Sequence, residues 1–135
     1  SASTILEMEL AKNLLSTCGL VVEVEKESLI DAVTSVSGSG PAYVFHMVEA
    51  IAKGGEAQGL STEVAYQLAK ETIIGAGALL DMSDEDARTL RKNVTSPMGT
   101  TEAALNILME DSALVKLMKK AIKAAYDRGV ELSER

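Results

Sequence analysis

The sequence predicts an all-α protein with one short β-like segment near its start. Apolar residues recur at helical spacing from Ser28 to the end of the chain. Hydrophobic residues make up 47% of the sequence but aromatic residues only 3%, and Trp is absent. A core of Ala, Leu, Val, Ile and Met favours closely packed helices over a β-sandwich. Only residues 20–25 alternate β-branched side chains with glutamates as a strand does.

Composition also excludes several classes of protein. The net charge of −7 and the pI of about 4.7 argue against binding to nucleic acid or to an anionic membrane surface. No apolar run reaches about 18 residues, so no membrane span is predicted. A single cysteine, Cys18, excludes an internal disulfide. Neither Cys18 nor His46 has neighbours suited to bind a metal or support catalysis, and His46 has no nearby carboxylate to orient it.

The first 27 residues differ in pattern from the rest. A helix is predicted over 4–17, ended by Gly19, and a strand over 20–25. One strand is not stable alone, so it must pair with another chain or belong to a sheet outside this sequence. Helix followed by strand is typical of the end of an α/β unit, which favours the second interpretation. The chain begins with Ser1 rather than Met, so we expect its natural start to lie upstream.

From Ser28 onward every element is predicted to be helical. Pro41 is suited to a first helical position after a flexible turn at 37–41, and Gly59 to a C-terminal stop. Ser61, Ser83 and Asp111 are predicted caps for later helices. The predicted helices are 28–36, 41–58, 61–80, 83–94, 101–109 and 111–132. The role of Asp31, just before the glycine-rich turn, is left open.

Neither of two glycine clusters is predicted to be a nucleotide-binding loop. The cluster at 38–40 has Tyr43 where a dinucleotide fingerprint needs its third glycine, and no strand precedes it. The cluster at 75–77 lies inside a helix. The small residues 75–78, and Gly54 with Gly55, are instead expected to let another helix approach closely, although each interior glycine costs roughly 1 kcal/mol.

The densest group of hydroxyl, glycine and proline residues lies at 92–102. Pro97 should end the preceding helix near Val94, and helical periodicity resumes at Thr101. Gly99 and Thr100 therefore lie at a helix N-terminus, where unpaired N–H groups and the helix dipole favour a carboxylate or phosphate. An ordinary turn between helices with a Thr cap is the alternative.

Three motifs carry a family resemblance. Residues 31–34 (DAVT), 37–45 (SGSGPAYVF) and 93–101 (NVTSPMGTT) resemble pyrroline-5-carboxylate reductases in order and spacing, within a similarity covering about 28–131. The resemblance implies an intertwined helical dimerisation domain, like the C-terminal domain of 6-phosphogluconate dehydrogenase, over residues 28–135. Residues 1–27 then correspond to a helix-and-strand remnant of the family's N-terminal Rossmann domain.

The resemblance also implies a function. The family reduces the cyclic imine 1-pyrroline-5-carboxylate to L-proline with NAD(P)H, the last step of proline biosynthesis, and we expect a cytoplasmic location. Its helices form an intertwined homodimer, or a higher oligomer, and the active site lies between one subunit's cofactor domain and the partner's helices. We expect NADP or NAD to bind the full-length enzyme but not this chain, which should be inactive alone. A small molecule is expected as the substrate, and binding to nucleic acid or to a membrane is not expected.

Five positions match the family's substrate site. Ser96, Gly99, Thr100 and Thr101 match the loop that holds the substrate carboxylate and ring, and Asn93 matches a residue lining it. Thr101 matches the threonine that hydrogen-bonds the ring nitrogen, and is the expected catalytic residue. Hydride reaches an imine carbon best when the nitrogen is protonated and the carboxylate immobilised, so a helix N-terminus beside a hydroxyl suits the reaction. No metal ligand is predicted.

One departure leaves alternatives open. Met98 stands where the family usually has glycine, and its side chain either narrows the pocket or is tolerated by the backbone. The chain could therefore belong to a related reductase of another imine or a keto acid. A helical dimerisation protein without enzymatic activity is a further alternative.

Overall fold

The computed structural model describes residues 4–133, and all regular secondary structure in that range is helical, which confirms the predicted all-α class. Chain contacts divide the protein into two compact units, one before and one after the boundary between Ile30 and Asp31. Within the described range, no helix is both long and apolar enough to span a membrane. The α-helices are α1 (Ile5–Ser16), α2 (Ile30–Val33), α3 (Gly40–Ala57), α4 (Thr62–Met82), α5 (Ala87–Asn93), α6 (Thr100–Met109) and α7 (Ala113–Ser133).

The first unit is built on α1. Thr4 and Glu7 form a reciprocal capping box, in which the Thr4 amide donates to the Glu7 carboxylate at 2.7 Å and the Glu7 amide donates to the Thr4 hydroxyl at 3.3 Å. These bonds from Thr4 lower the pKa of Glu7 below its usual value. Farther along, the Lys12 ammonium pairs with the Glu23 carboxylate, which ties the segment after α1 to the helix.

The predicted strand at 20–25 does not form within the described part of the chain. Residues 20–24 have no regular secondary structure. A strand is stabilised by backbone bonds to a neighbouring strand, and residues 4–133 contain no such neighbour. An apolar groove of about 510 Å³ instead lies between this segment and α1, and its apolar lining residues are Ile5, Met8, Ala11, Leu15 and Val21. Its origin in a Rossmann domain stays a prediction.

The glycine-rich segment before α3 is helical rather than an irregular turn. A short 3₁₀ turn (Glu27–Leu29) and α2 continue into a π-helical turn (Thr34–Gly38), closed where the Ser39 amide donates to the Thr34 carbonyl at 2.9 Å. Both the predicted helix end at Val36 and the loop at 37–41 are therefore wrong. π-helical turns are rare and often lie at functional sites, and periodicity alone does not reveal them. Pro41 is in the first turn of α3, as predicted.

Helices α3 and α4 pack against each other across a connection at 58–61, with Gly59 in a left-handed conformation (φ 96°) as the predicted stop. A side chain on Gly55 would lie 3.3 Å from the Ala65 methyl group, so this glycine permits the close approach. The small buried core of the second unit consists of Ala52, Ala65 and Ala69. In contrast, among the described residues nothing outside the neighbouring backbone of α4 lies within 4 Å of a Cβ atom built on Gly75 or Gly77.

Helix α7 packs on α6 and on the π-helical turn. Ser35 in that turn is buried, and its carbonyl accepts a 3.0 Å hydrogen bond from the Tyr43 hydroxyl. Asp31 lies over Gly129 of α7, where an added methyl group would come within 3.1 Å of the carboxylate. Gly129 therefore provides the space that Asp31 occupies, which answers the question that the sequence left open.

Two predicted caps are wrong. Ser83 follows the end of α4, and α5 begins only at Ala87, because Asp86 rather than Ser83 supplies the capping oxygen. Asp111 lies inside a 3₁₀ turn (Glu110–Ser112) with φ of 46°, so α7 begins after it, at Ala113. Ser61 does cap α4 as predicted, accepting from the Val64 amide at 3.3 Å.

Candidate functional site

The candidate site is the connection between α5 and α6, and it begins with a well-defined α5. The Asp86 carboxylate accepts a 2.7 Å hydrogen bond from the Thr89 amide at the start of this helix. Bonds from the Thr89 side chain and amide lower the pKa of Asp86 below its usual value, so Asp86 stays ionised where it favours the helix dipole. Arg91 and Lys92 place positive charge in the last turn. Both ends of α5 are thus stabilised up to the connection.

Pro97 ends the helical region as the sequence predicted, through a tight turn at 96–99. The Gly99 amide donates to the Ser96 carbonyl at 3.1 Å, which closes a four-residue β-turn with Pro97 second and Met98 third. Met98 has φ of 57°, the left-handed conformation that the third position of a type II turn requires. Glycine is the residue best suited to that position, which gives the backbone reason for the glycine usual in the resembling family.

The space around Gly99 leaves little room for a side chain. A side chain built there would place its Cβ 2.4 Å from the Ser96 hydroxyl oxygen and 3.0 Å from the Ser96 carbonyl oxygen. The Ser96 hydroxyl therefore lies directly beside the start of α6. Gly99 is also the N-cap residue of α6, with extended backbone angles and no side chain to cap the helix.

The first turn of α6 presents donors that its own N-cap does not satisfy. The first intrahelical bond runs from the Ala103 amide to the Gly99 carbonyl, so the amides of Thr100, Thr101 and Glu102 precede the regular helical pattern. Thr100 and Thr101 are exposed and carry hydroxyl groups beside these amides. Together with the helix dipole, this arrangement can hold an anionic group such as a carboxylate.

Glu102 is the residue of this region that the sequence analysis missed. Its carboxylate accepts a 2.7 Å hydrogen bond from the Met98 amide, and the residue is half-buried. The contact joins the first turn of α6 back to the β-turn. A glutamate three residues after an N-cap was the available signal, because that is the spacing of a capping box.

Asn93 and Met98 are placed differently from the other candidate residues. The Asn93 amide group donates to the Glu85 carboxylate at 2.9 Å, on the connection between α4 and α5, rather than to a group of the turn. Met98 is 96% exposed, so within this chain its side chain does not fill the space beside Ser96 and Thr100. Ser96, Gly99, Thr100 and Thr101 thus lie together at the helix start, whereas Asn93 is turned towards Glu85.

The remaining candidates stay apart from this region. His46 does have a carboxylate neighbour, contrary to the sequence prediction, since its Nδ1 lies 2.9 Å from the Glu49 carboxylate one helical turn along α3. Both side chains are exposed, and a pair three residues apart on a helix surface is an ordinary stabilising contact. Cys18 is a free, exposed cysteine.

Comparison with known proteins gives consistent matches. Residues 27–132 match the family model for pyrroline-5-carboxylate reductase dimerisation. Curated relatives named pyrroline-5-carboxylate reductase include one from Pseudomonas aeruginosa, 42% identical over 95% of this chain and 46% of the relative, and one from Synechocystis, 44% identical over 93% and 46%. The chain therefore spans about half the length of the curated relatives it matches.

Solved structures agree with the sequence comparisons. A pyrroline-5-carboxylate reductase from Coxiella burnetii is 38% identical, with a TM-score of 0.88 over 96% of this chain and 48% of that one. A Plasmodium falciparum pyrroline carboxylate reductase, solved with NADP bound, is 29% identical, with a TM-score of 0.78 over the same shares.

Proposed function

Because the chain belongs to the pyrroline-5-carboxylate reductase dimerisation family, we propose that it is the substrate-binding and dimerising part of an enzyme that reduces 1-pyrroline-5-carboxylate to L-proline with NAD(P)H. The observation that carries the proposal is the start of α6, where the amides before the helical pattern lie beside exposed hydroxyls. The substrate carries a carboxylate next to its ring nitrogen, and that pair of groups matches an anion-binding helix start with a neighbouring hydroxyl.

The residues divide the chemistry between them. The amides of Thr100 and Thr101 bind the carboxylate, with the Ser96 hydroxyl beside them. The Thr101 hydroxyl hydrogen-bonds the ring nitrogen and fixes which face of the imine carbon is presented. Immobilising the substrate in this way lowers the entropic part of the barrier. The Asn93 amide lines the site, and for this it must exchange its bond to Glu85 for one to substrate.

The reduced nicotinamide cofactor, NADPH or NADH, would supply the hydride, and we expect its binding site to lie outside the described residues. The glycine cluster at 38–40, which the sequence places outside a helix interior, lies in a π-helical turn and at the start of α3. A dinucleotide-binding loop lies instead between a strand and a helix. We therefore expect no reductase activity from the chain alone. The cofactor domain that residues 1–27 continue would provide that half of the active site. A free, exposed Cys18 suits the reducing cytoplasm, which we propose as its location.

The surface of the second unit supports a homodimer formed through its helices. Among the described residues only Ala52, Ala65, Ala69 and Ser35 are buried. Large apolar side chains on its helices are exposed instead, among them Phe45, Ile51 and Leu68. An intertwined arrangement, as in the family, would cover helix faces that one chain leaves exposed; association into a higher oligomer remains open to measurement.

The test of the enzymatic proposal is Thr101→Ala in the complete reductase that carries this chain. We expect kcat/KM for 1-pyrroline-5-carboxylate to fall about 100-fold, because the ring nitrogen loses its hydrogen bond and its orientation. Thr72→Ala is a matched control, since the Thr72 hydroxyl bonds only within α4, to the Leu68 carbonyl at 2.7 Å. Wild-type kinetics in Thr101→Ala would leave this turn as an ordinary capped connection.

Met98 decides between this substrate and a related one. Assaying the wild-type enzyme with five-membered and six-membered cyclic imine carboxylates and with a 2-keto acid separates the possibilities. We expect the five-membered imine to give the highest kcat/KM, because the exposed Met98 side chain does not fill the space beside the groups of the turn. Preference for a keto acid would assign the chain to a different reductase. Absence of turnover with any of them would favour a dimerisation protein without activity.

A further inference from the structure

The turn at 96–99 holds a conformation that its sequence does not favour. Met98 has φ of 57°, which is costly for a residue with a side chain because its Cβ approaches the backbone carbonyl. The Ser96–Gly99 hydrogen bond joins the turn to the N-cap residue of α6 but does not involve the Met98 amide. A bond to that amide from a residue inside α6 adds a second restraint on the turn.

Glu102 supplies that restraint. Its carboxylate accepts the Met98 amide at 2.7 Å, a short charge-assisted hydrogen bond from the strained residue to the third residue of α6. Glu102 is half-buried and Gly99 is half-buried, whereas Thr100 and Thr101 on the same helical turn are exposed. The glutamate thus braces the turn and leaves the neighbouring donors open to a ligand.

We propose that Glu102 is a positioning residue for substrate, one that fixes the turn at 96–99 on the first turn of α6 and sets substrate affinity without contacting substrate. This rests on the proposed function. The backbone amide of Met98 needs an acceptor at that point, and a neutral amide oxygen can also accept it, although more weakly than a carboxylate does. The negative charge itself lies near the start of α6, where it opposes a substrate carboxylate through space. Acceptor and charge therefore have opposite effects on affinity, and two substitutions separate them.

The kinetic experiment compares Glu102→Ala with Glu102→Gln in the complete reductase. Glu102→Ala removes the acceptor, and we expect KM for 1-pyrroline-5-carboxylate to rise about tenfold while kcat changes less than about threefold, because misplaced groups bind substrate poorly. Glu102→Gln keeps an acceptor and removes the charge, so its KM should be equal to or lower than that of the wild type. Glu63→Ala is the matched control, as Glu63 lies in the first turn of α4, which Ser61 already caps.

Hydrogen exchange at the Met98 amide tests the bond independently of catalysis. We expect slow exchange in the wild type and in Glu102→Gln, and exchange at least about tenfold faster in Glu102→Ala. Equal exchange in all three proteins, or a KM in Glu102→Gln as high as in Glu102→Ala, overturns the positioning role. If the wild type reduces no imine at all, the proposed function fails, yet the exchange rates still decide whether Glu102 holds the turn.

Discussion

Phe45 is the side chain through which the proposed dimer can be tested most directly. It is the only phenylalanine of the sequence, it lies on α3, and it is 67% exposed. It lines an apolar groove of about 340 Å³ between α3 and α4, together with Val44, Val48, Glu49, Tyr66, Lys70, Ile73 and Ile74. One acidic and one basic residue in this lining allow two copies to meet about a two-fold axis with opposite charges opposed. Replacing Phe45 with alanine should therefore weaken association.

The magnitude follows from exposed area. A phenylalanine presents roughly 200 Å², so 67% exposure leaves about 130 Å² to be covered by a second copy. At about 25 cal/mol per Å² this burial contributes about 3 kcal/mol. A symmetric dimer contains the contact twice, so Phe45→Ala should cost about 6 kcal/mol. Since each 1.4 kcal/mol is a factor of ten, Kd should rise roughly ten-thousand-fold.

Sedimentation velocity over nanomolar to high-micromolar protein measures the change. Lys53→Ala is the matched control, because Lys53 lies on the same helix, is exposed and pairs with Glu56, and neither residue lines the groove. We expect Lys53→Ala to remain dimeric at concentrations where Phe45→Ala is largely monomeric. A Phe45→Ala protein with wild-type Kd would show that the groove between α3 and α4 stays open to solvent in the assembly, and the area argument would fail.

Two further predictions concern the turn before α6. Gly99→Ala should raise KM for 1-pyrroline-5-carboxylate at least about tenfold, because the new methyl group would lie 2.4 Å from the Ser96 hydroxyl oxygen, which must move, and 3.0 Å from the Ser96 carbonyl oxygen. Unchanged KM would mean that the Ser96 hydroxyl can move without loss of substrate binding. Met98→Gly should raise the free energy of unfolding by up to about 1 kcal/mol, since glycine adopts the left-handed conformation at little steric cost. Thermal denaturation measures this change, and Met82→Gly at the end of α4 is the control.

The sequence predicted the helical class and the location of the candidate site because both depend on local signals. Pro97 and Gly99 are constrained by their own backbone chemistry, so the end of α5 and the start of α6 could be placed within a residue or two. Glu102 escaped notice because its partner is the amide of Met98, which is available only when Met98 adopts a positive φ. Such a bond depends on a conformation that residue type does not favour.

The helix caps were also difficult to predict from the sequence, because capping too depends on backbone conformation. Ser83, Asp86 and Asp111 are all good capping residues, and type alone does not say which one has the extended backbone that capping needs. Asp86 and Ser83 both have it, with ψ of 159° and 138°, but only Asp86 directly precedes α5, whereas Asp111 has a positive φ. The π-helical turn at Thr34–Gly38 is a comparable case, since its wider hydrogen bonding is set by packing against α7 and by the Tyr43 hydroxyl rather than by its own residues.

Hydrophobic periodicity has a deeper limit in this chain. On α3 it marks Phe45, Val48 and Ala52 as one apolar side, but only Ala52 is buried by the chain's own helices, while Phe45 is mostly exposed. The pattern reports that a face avoids water and says nothing about which chain covers it. Open space beside Gly75 and Gly77 carries the complementary information, because glycines inside a helix lower its stability unless something packs closely against them. An exposed large side chain on one helix and open space beside the glycines of its neighbour are complementary surfaces, and in the proposed homodimer a second copy of the chain would provide the partner for each.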